Sequence, residues 1–218
     1  MSAVNKIVNR NSSNCKLPTR VGIYGGSFNP VHFGHVGLAK WVIEHTDLDE
    51  LWLMVSPLNP LKAANGTNGL TGEADLTSNF QERLATVREA VKDIPGLKAS
   101  DFEFSLPRPS YTANTLRELQ KKFPDYEFTL IIGEDNIAIF DRWREYEYIL
   151  ANYRIFVYPR KESLTGEAGL TAVGDLTAQR SYSAAVLQSQ PVKELRFLSS
   201  APLFDISSTA IRRSRGLQ

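Results

Sequence analysis

The stretch Arg20-Val-Gly-Ile-Tyr-Gly-Gly-Ser-Phe-Asn-Pro-Val-His-Phe-Gly-His35, running on into Val36-Gly-Leu-Ala-Lys40, decides how the rest of the chain is read. Residues 20–24 are a short apolar run of strand type, and the apolar spacing over 34–45 is that of a helix. Between them, Gly25 and Gly26 let the backbone turn tightly and approach a ligand with no Cβ in the way. The unpaired amides and positive dipole end of the following helix favour a phosphate there. The loop lacks the Gly-Lys-Ser/Thr ending of a P-loop, and it does not fit the G-x-G-x-x-G spacing of a dinucleotide fold. In place of a lysine it carries His32 and His35, separated by Phe33-Gly34, so both rings can face one bound group at the helix start. Such a pair donates hydrogen bonds to phosphate oxygens and stabilises charge that builds up on a transferring group. The plainer alternatives are a helix cap beside a gap-filling ring, and a zinc pair, for which no third ligand lies close in sequence. His45 is read as a dipole-compatible residue at the far end of the helix.

Working outward, short apolar runs at 51–56, 98–102, 128–132, 154–158 and 195–198 alternate with helical patterns at 79–91, 112–122 and 206–215. That alternation predicts an α/β fold, a doubly wound parallel sheet, whose ligands bind outside the carboxyl ends of the strands. The 218 residues suit one domain, 20–218, behind a polar stretch, 1–19, that reads as a loose tail without the apolar core of a secretory signal. Two Gly/Thr/Ser-rich segments, 63–78 and 162–190, read as surface insertions; they share the phrases Leu70-Thr-Gly-Glu-Ala-Asp-Leu-Thr77 and Leu164-Thr-Gly-Glu-Ala-Gly-Leu-Thr171.

A net charge of +1 with interleaved signs disfavours a nucleic-acid partner, and no run is long and apolar enough for a membrane partner. The single Cys15 excludes an intramolecular disulfide and points to a reducing compartment, with the cytoplasm as default. A homo-oligomer is left open.

The histidine motif resembles the H-x-G-H signature of the nucleotidylyltransferase superfamily. Further segments narrow the resemblance to the bacterial nicotinate-nucleotide adenylyltransferases: Pro57-Leu-Asn-Pro-Leu-Lys62, Pro109-Ser-Tyr-Thr112 with Thr115-Leu-Arg-Glu-Leu119, Ile132-Gly-Glu-Asp-Asn136 with Trp143, and Ile206-Ser-Ser-Thr-Ala-Ile-Arg212. The likeness runs from Arg20 to Arg213, with the two insertions as departures. It implies a Rossmann-like nucleotidylyltransferase fold and transfer of AMP from ATP to nicotinate mononucleotide, forming deamido-NAD and pyrophosphate. His32 and His35 are then the catalytic pair. ATP is expected on Gly25, Gly26, Ser27, Phe28, Gly133, Asp135, Ile206, Ser207, Ser208 and Arg212, with Asp135 suited to ribose hydroxyls and the 206–212 segment to phosphate. Without the resemblance, an Asp helix cap and an ordinary capped helix read equally well.

For the mononucleotide, the resemblance implicates Lys62 at the phosphate and Trp143 as a stacking face for the ring. Thr112, at a helix start, suits the carboxylate, and Tyr111 helps enclose the ring. Arg83 also matches a family position, but its plain reading is a surface helix arginine. Mg2+ is expected to travel with ATP, with no metal site of the protein's own. The alternatives are a related transferase using nicotinamide mononucleotide or another phosphorylated acceptor, and a non-catalytic nucleotide-binding homologue.

Overall fold

The computed structural model describes residues 17–57, 73–137, 139–159, 191–204, 206 and 208–214. In chain order these form β1 (Thr19–Gly26), α1 (Phe33–His45), β2 (Glu50–Val55), α2 (Glu73–Val91), β3 (Leu97–Ser100) and a 3-10 turn (Phe102–Ser105). Next come α3 (Thr112–Lys122), β4 (Tyr126–Gly133), the single-turn α4 (Glu134–Ile137) and a second 3-10 turn (Phe140–Arg142). The described chain ends with α5 (Tyr146–Asn152), β5 (Arg154–Tyr158), β6 (Glu194–Phe197) and α6 (Ser208–Ser214). The six strands make one sheet in the order β3-β2-β1-β4-β5-β6, and every pairing in it is parallel. The expected doubly wound sheet is therefore present.

Strands covered by helices on both faces can be apolar at every position, which is why Leu51–Val55 and Arg154–Tyr158 are buried throughout. Side chains still alternate between the faces. Leu51, Leu53 and Val55 pack with Leu38, Val42, Leu84 and Val87 from α1 and α2. Trp52 and Met54 pack on the other face with Leu116, Leu119 and Ile149 from α3 and α5. Strand order reverses at β1, which has β2 on one side and β4 on the other. The helices that follow these strands therefore diverge to opposite faces and leave a crevice at the carboxyl ends of β1 and β4. Ion pairs gather at the opposite, amino end: Arg154 meets Asp47 at 2.9 Å and Glu194 at 2.8 Å, and Arg20 meets Asp47 at 2.7 Å. Among the described residues no helix is long and apolar enough to cross a membrane.

Two of the boundaries that differ from the sequence reading have a local cause. The third strand stops at Ser100, because the Ser100 hydroxyl accepts the Phe102 amide at 3.3 Å and turns the chain into the 3-10 turn that carries Glu103. Helix α2 starts at Glu73, six residues before the expected start at 79, since Glu-Ala-Asp-Leu is good helix sequence despite its polar neighbours. The tail before Leu17 and most of the two insertions lie outside the described residues.

The segment leading to α6 lies against α1 where that helix has glycines. A Cβ at Gly34 would meet Ile206 Cγ2 at 2.9 Å, with His32 Nδ1 and Phe204 Cβ each at 3.1 Å. Gly34 thus keeps its place in the histidine motif because the carboxyl-terminal segment needs the space. Gly34→Ala should cost about 1–3 kcal/mol of stability by overpacking, read by urea melting, with a loss of ligand affinity beyond it. An unchanged midpoint would mean that the 204–206 segment is free to move away.

Candidate active site

The last two residues of β1, Gly25 and Gly26, deliver the chain into the phosphate loop, and Phe28 then takes a left-handed backbone conformation with φ of 44°. A non-glycine residue there is strained, and the strain is sustained by what surrounds it. The Phe28 ring is 2% exposed and meets the rings of Tyr24 and His35 edge-on, with centroids 5.6 and 5.0 Å away. His32 is the N-cap of α1, its carbonyl accepting the His35 amide at 3.0 Å. The two imidazoles are stacked, with centroids 3.7 Å apart and planes 27° from parallel. Both rings therefore stand together at the helix start, as the Phe33-Gly34 spacing predicts.

The orientation of His35 is set by a backbone bond. The His32 N–H donates to His35 Nδ1 at 3.3 Å. A nitrogen that accepts cannot carry the proton of a neutral ring, so that proton sits on Nε2 and serves as a donor toward a ligand. His45, by contrast, stacks flat on Trp41 at 4.5 Å, with Nδ1 2.9 Å from the Trp41 carbonyl, in the helix-end role expected of it.

Helix α6 closes the loop from the other side. Arg212 donates to the Asn29 carbonyl at 2.6 Å, and the Ser208 hydroxyl donates to the Pro30 carbonyl at 2.9 Å. The structure thus brings Ile206, Ser208 and Arg212 to the histidine loop. Ser207 and Lys62 lie outside the described residues.

A cavity opens beside the loop at the switch point. Its lining includes Gly25, Gly26, Ser56, Glu103, Ser110, Tyr111, Thr112, Gly133, Asn136, Trp143 and Tyr158. Tyr111 is the N-cap of α3 and makes no side-chain cap, so the amide end of that helix is turned to the cavity at Thr112. Trp143 forms the facing wall, braced by Phe140 at 5.1 Å. The Arg144 guanidinium reaches back over the Tyr111 ring at 4.9 Å. Asp135 is exposed and outside the lining, whereas its neighbour Asn136 is part of it.

Sequence reasoning passed over two residues here and misread a third. Glu103 is 7% exposed, and its carboxyl oxygens accept the Ser56 hydroxyl at 2.6 Å and the Thr115 hydroxyl at 3.0 Å. Burial pushes this carboxyl above its ordinary range, against the two hydroxyl bonds that act the other way. Ser110 Oγ is buried in the same lining and has no partner among the described residues. The third is Arg83. It is 7% exposed, and the reading of a surface arginine is corrected by the three backbone carbonyls that surround its guanidinium. The sequence held a signal for it: Phe80, Arg83, Leu84 and Val87 share helical spacing on the stripe of α2 that faces the core.

A histidine-bearing phosphate loop and a ligand cavity at the reversal of a doubly wound sheet define a nucleotidyltransferase-type nucleotide-binding protein, and the cytidylyltransferase-like family matches residues 23–214. A probable nicotinate-nucleotide adenylyltransferase of Flavobacterium psychrophilum is 39% identical over 196 residues, covering 89% of this chain and 86% of the relative. One from Bacteroides thetaiotaomicron is 43% identical over 195 residues, covering 89% and 81%. The chain belongs to the nicotinate-nucleotide adenylyltransferase family. In fold it is similar to the Plasmodium falciparum nicotinic acid mononucleotide adenylyltransferase complexed with NaAD, with a TM-score of 0.56 at 16% identity over 89% of this chain and 83% of that one.

The raised position of the Glu103 carboxyl has a definite sign. In the unfolded chain it ionises within the ordinary range, while in the folded chain it holds its proton to higher pH, so stability is lost as pH rises through that window. Glu103→Gln removes the titration, and its melting temperature relative to wild type should rise as pH increases above the ordinary carboxylate range, levelling off once the folded carboxyl has ionised. A difference independent of pH would show that the buried carboxyl ionises as freely as an exposed one.

Proposed function

We propose that this chain transfers the adenylyl group of ATP to the phosphate of nicotinate mononucleotide, forming the nicotinate dinucleotide and releasing pyrophosphate. The observation that carries the reading is the junction of two half-sites at Gly25 and Gly26: the stacked histidine pair on one side, and the cavity between Thr112 and Trp143 on the other. An oxygen of the mononucleotide phosphate attacks the α-phosphorus of ATP, a P–O bond forms, and the bond to the β-phosphate oxygen breaks as pyrophosphate leaves. The attacking group is already an anion, so positioning and charge neutralisation suffice without a strong base. His35, through Nε2–H, and His32 beside it stabilise charge on the α-phosphate and the leaving group.

Magnesium enters with ATP as part of the substrate; among the described residues no cluster of three His, Cys, Asp or Glu side chains suits a metal ion. Lys62 meets the mononucleotide phosphate, and Asp135 serves the ribose. The reaction is placed in the cytoplasm.

Removal of either imidazole, in His32→Ala or His35→Ala, should lower kcat by two orders of magnitude or more, of the size seen when one donor to a developing charge is lost. Circular dichroism should stay that of wild type. Near-normal turnover in both variants would end the assignment of the pair.

Substrate choice tests the cavity. Nicotinate and nicotinamide stack equally well on Trp143, but the amide NH2 would face the donors at the start of α3, where the carboxylate is welcome. That mismatch is worth about 3 kcal/mol, a hundredfold or more in kcat/KM. Pyrophosphate release scored with both mononucleotides decides it, and equal values would refute this pocket.

A further inference from the structure

Arg83 occupies a place that a buried cation rarely holds. Its Nη1 donates to the Ser27 carbonyl at 2.6 Å and to the Ser56 carbonyl at 2.9 Å. Its Nη2 donates to the Pro57 carbonyl at 3.4 Å, and Nε donates to Asn79 Oδ1 at 2.8 Å. Among the described residues these partners are neutral, and burial alone pushes the guanidinium below its ordinary value. A buried charge left to carbonyl dipoles costs stability unless the surroundings return something for it.

The bond to Ser27 falls inside the phosphate loop. The Ser27–Phe28 peptide is trans, so its carbonyl and the Phe28 N–H point in opposite directions across one rigid plane. Fixing the carbonyl on Arg83 turns the Phe28 amide away from α2. The same peptide leads into the left-handed Phe28, a conformation that needs an outside hold. The bonds to Ser56 and Pro57 fix the second rim, where β2 ends and the chain sets out toward Lys62. The two rims are already joined by the Ser56 amide, which donates to the Gly26 carbonyl at 2.9 Å. One planar group therefore locks the histidine loop to the rim after β2.

We infer that Arg83 is a positioning residue for the transfer: it sets the Ser27–Phe28 peptide of the phosphate loop and the rim after β2 in register, so that the two substrate phosphates meet in line. The inference rests on the proposed reaction. Its chemistry requires a guanidinium, because three carbonyls and an amide oxygen are met by one flat fork of donors; an ammonium keeps the charge but not the geometry. A misplacement of the reacting groups on the order of 1 Å costs roughly a hundredfold in rate.

The test compares Arg83→Lys and Arg83→Gln with Leu84→Ala, a core truncation one residue along on the same helix that makes no hydrogen bond to either rim. Each variant is followed by thermal melting, by kcat and KM for ATP and for nicotinate mononucleotide, and by calorimetric titration with a non-hydrolysable ATP analogue. Arg83→Lys should lower kcat/KM for both substrates by about tenfold to a hundredfold, and Arg83→Gln by more. Leu84→Ala should lose melting temperature and keep its kinetic constants per folded molecule. Wild-type constants in Arg83→Lys, or an equal kinetic loss in Leu84→Ala, would reduce Arg83 to a packing residue and overturn the inference. A wild-type protein that releases no pyrophosphate would sink the reaction instead. The analogue titration then decides alone: weaker binding by Arg83→Lys than by wild type sustains the positioning of the loop, and equal binding overturns it.

Discussion

The site depends on how the end of β1 is held. Because β1 lies between β2 and β4, its two terminal glycines open onto the crevice at the switch point. A glycine-rich exit is mobile unless its carbonyls find donors. Here the donors come from far along the chain: Arg83 on α2 takes the Ser27 carbonyl, while Arg212 and Ser208 on α6 take those of Asn29 and Pro30. The loop is gripped by two guanidiniums and a hydroxyl on its carbonyl side. The direction of the loop's remaining face is thereby settled before any ligand arrives, which is the preorganisation that electrostatic catalysis requires.

What could be read from the residues alone follows from the range of the interactions. The strands, the glycine turn and the histidine pair are local patterns with a period of two, a period near 3.6 or a fixed spacing, and they fell where expected within a few residues. The 3-10 turn at Phe102 was missed because its cause is a single serine hydroxyl in a sequence that otherwise continues as strand. Arg83 was misread because its partners lie 56, 27 and 26 residues away, and no local pattern marks a carbonyl cage. Its place on an apolar stripe was visible, yet an arginine on such a stripe more often extends its charged end to water. Glu103 between Phe102 and Phe104 carried a similar warning, and its partners, Ser56 and Thr115, stand 47 and 12 residues off.

The distribution of charge separates the two ends of the sheet. At the amino ends of the strands, Arg20 and Arg154 are neutralised by Asp47, Glu127 and Glu194. Burial would raise the Asp47 carboxyl, but its bond to Arg154 and the charges of Arg154 and Arg20 hold it below the ordinary range. At the carboxyl ends, Arg83 is spent on carbonyl and amide oxygens among the described residues, so its positive charge persists as a field over the loop. A reaction between two phosphate-bearing substrates meets mutual repulsion before any chemistry. A cation held by dipoles lowers that repulsion without being cancelled by a carboxylate of its own.

Inside the cavity the same logic extends to a carboxyl. Glu103 is the one acidic residue among those that line it. An ionised group there would oppose an anionic ring substituent through a medium that screens poorly. Burial favours the protonated form against the pull of the two hydroxyl bonds, which weakens that opposition in a lining that also holds the amide end of α3, Arg142 and Arg144. Trp143 in this lining offers a face that any flat ring could share, so discrimination between rings would fall to charge and donor direction. The turn that brings Glu103 into this lining, set by the Ser100 hydroxyl, is what places a buried acid in the cavity.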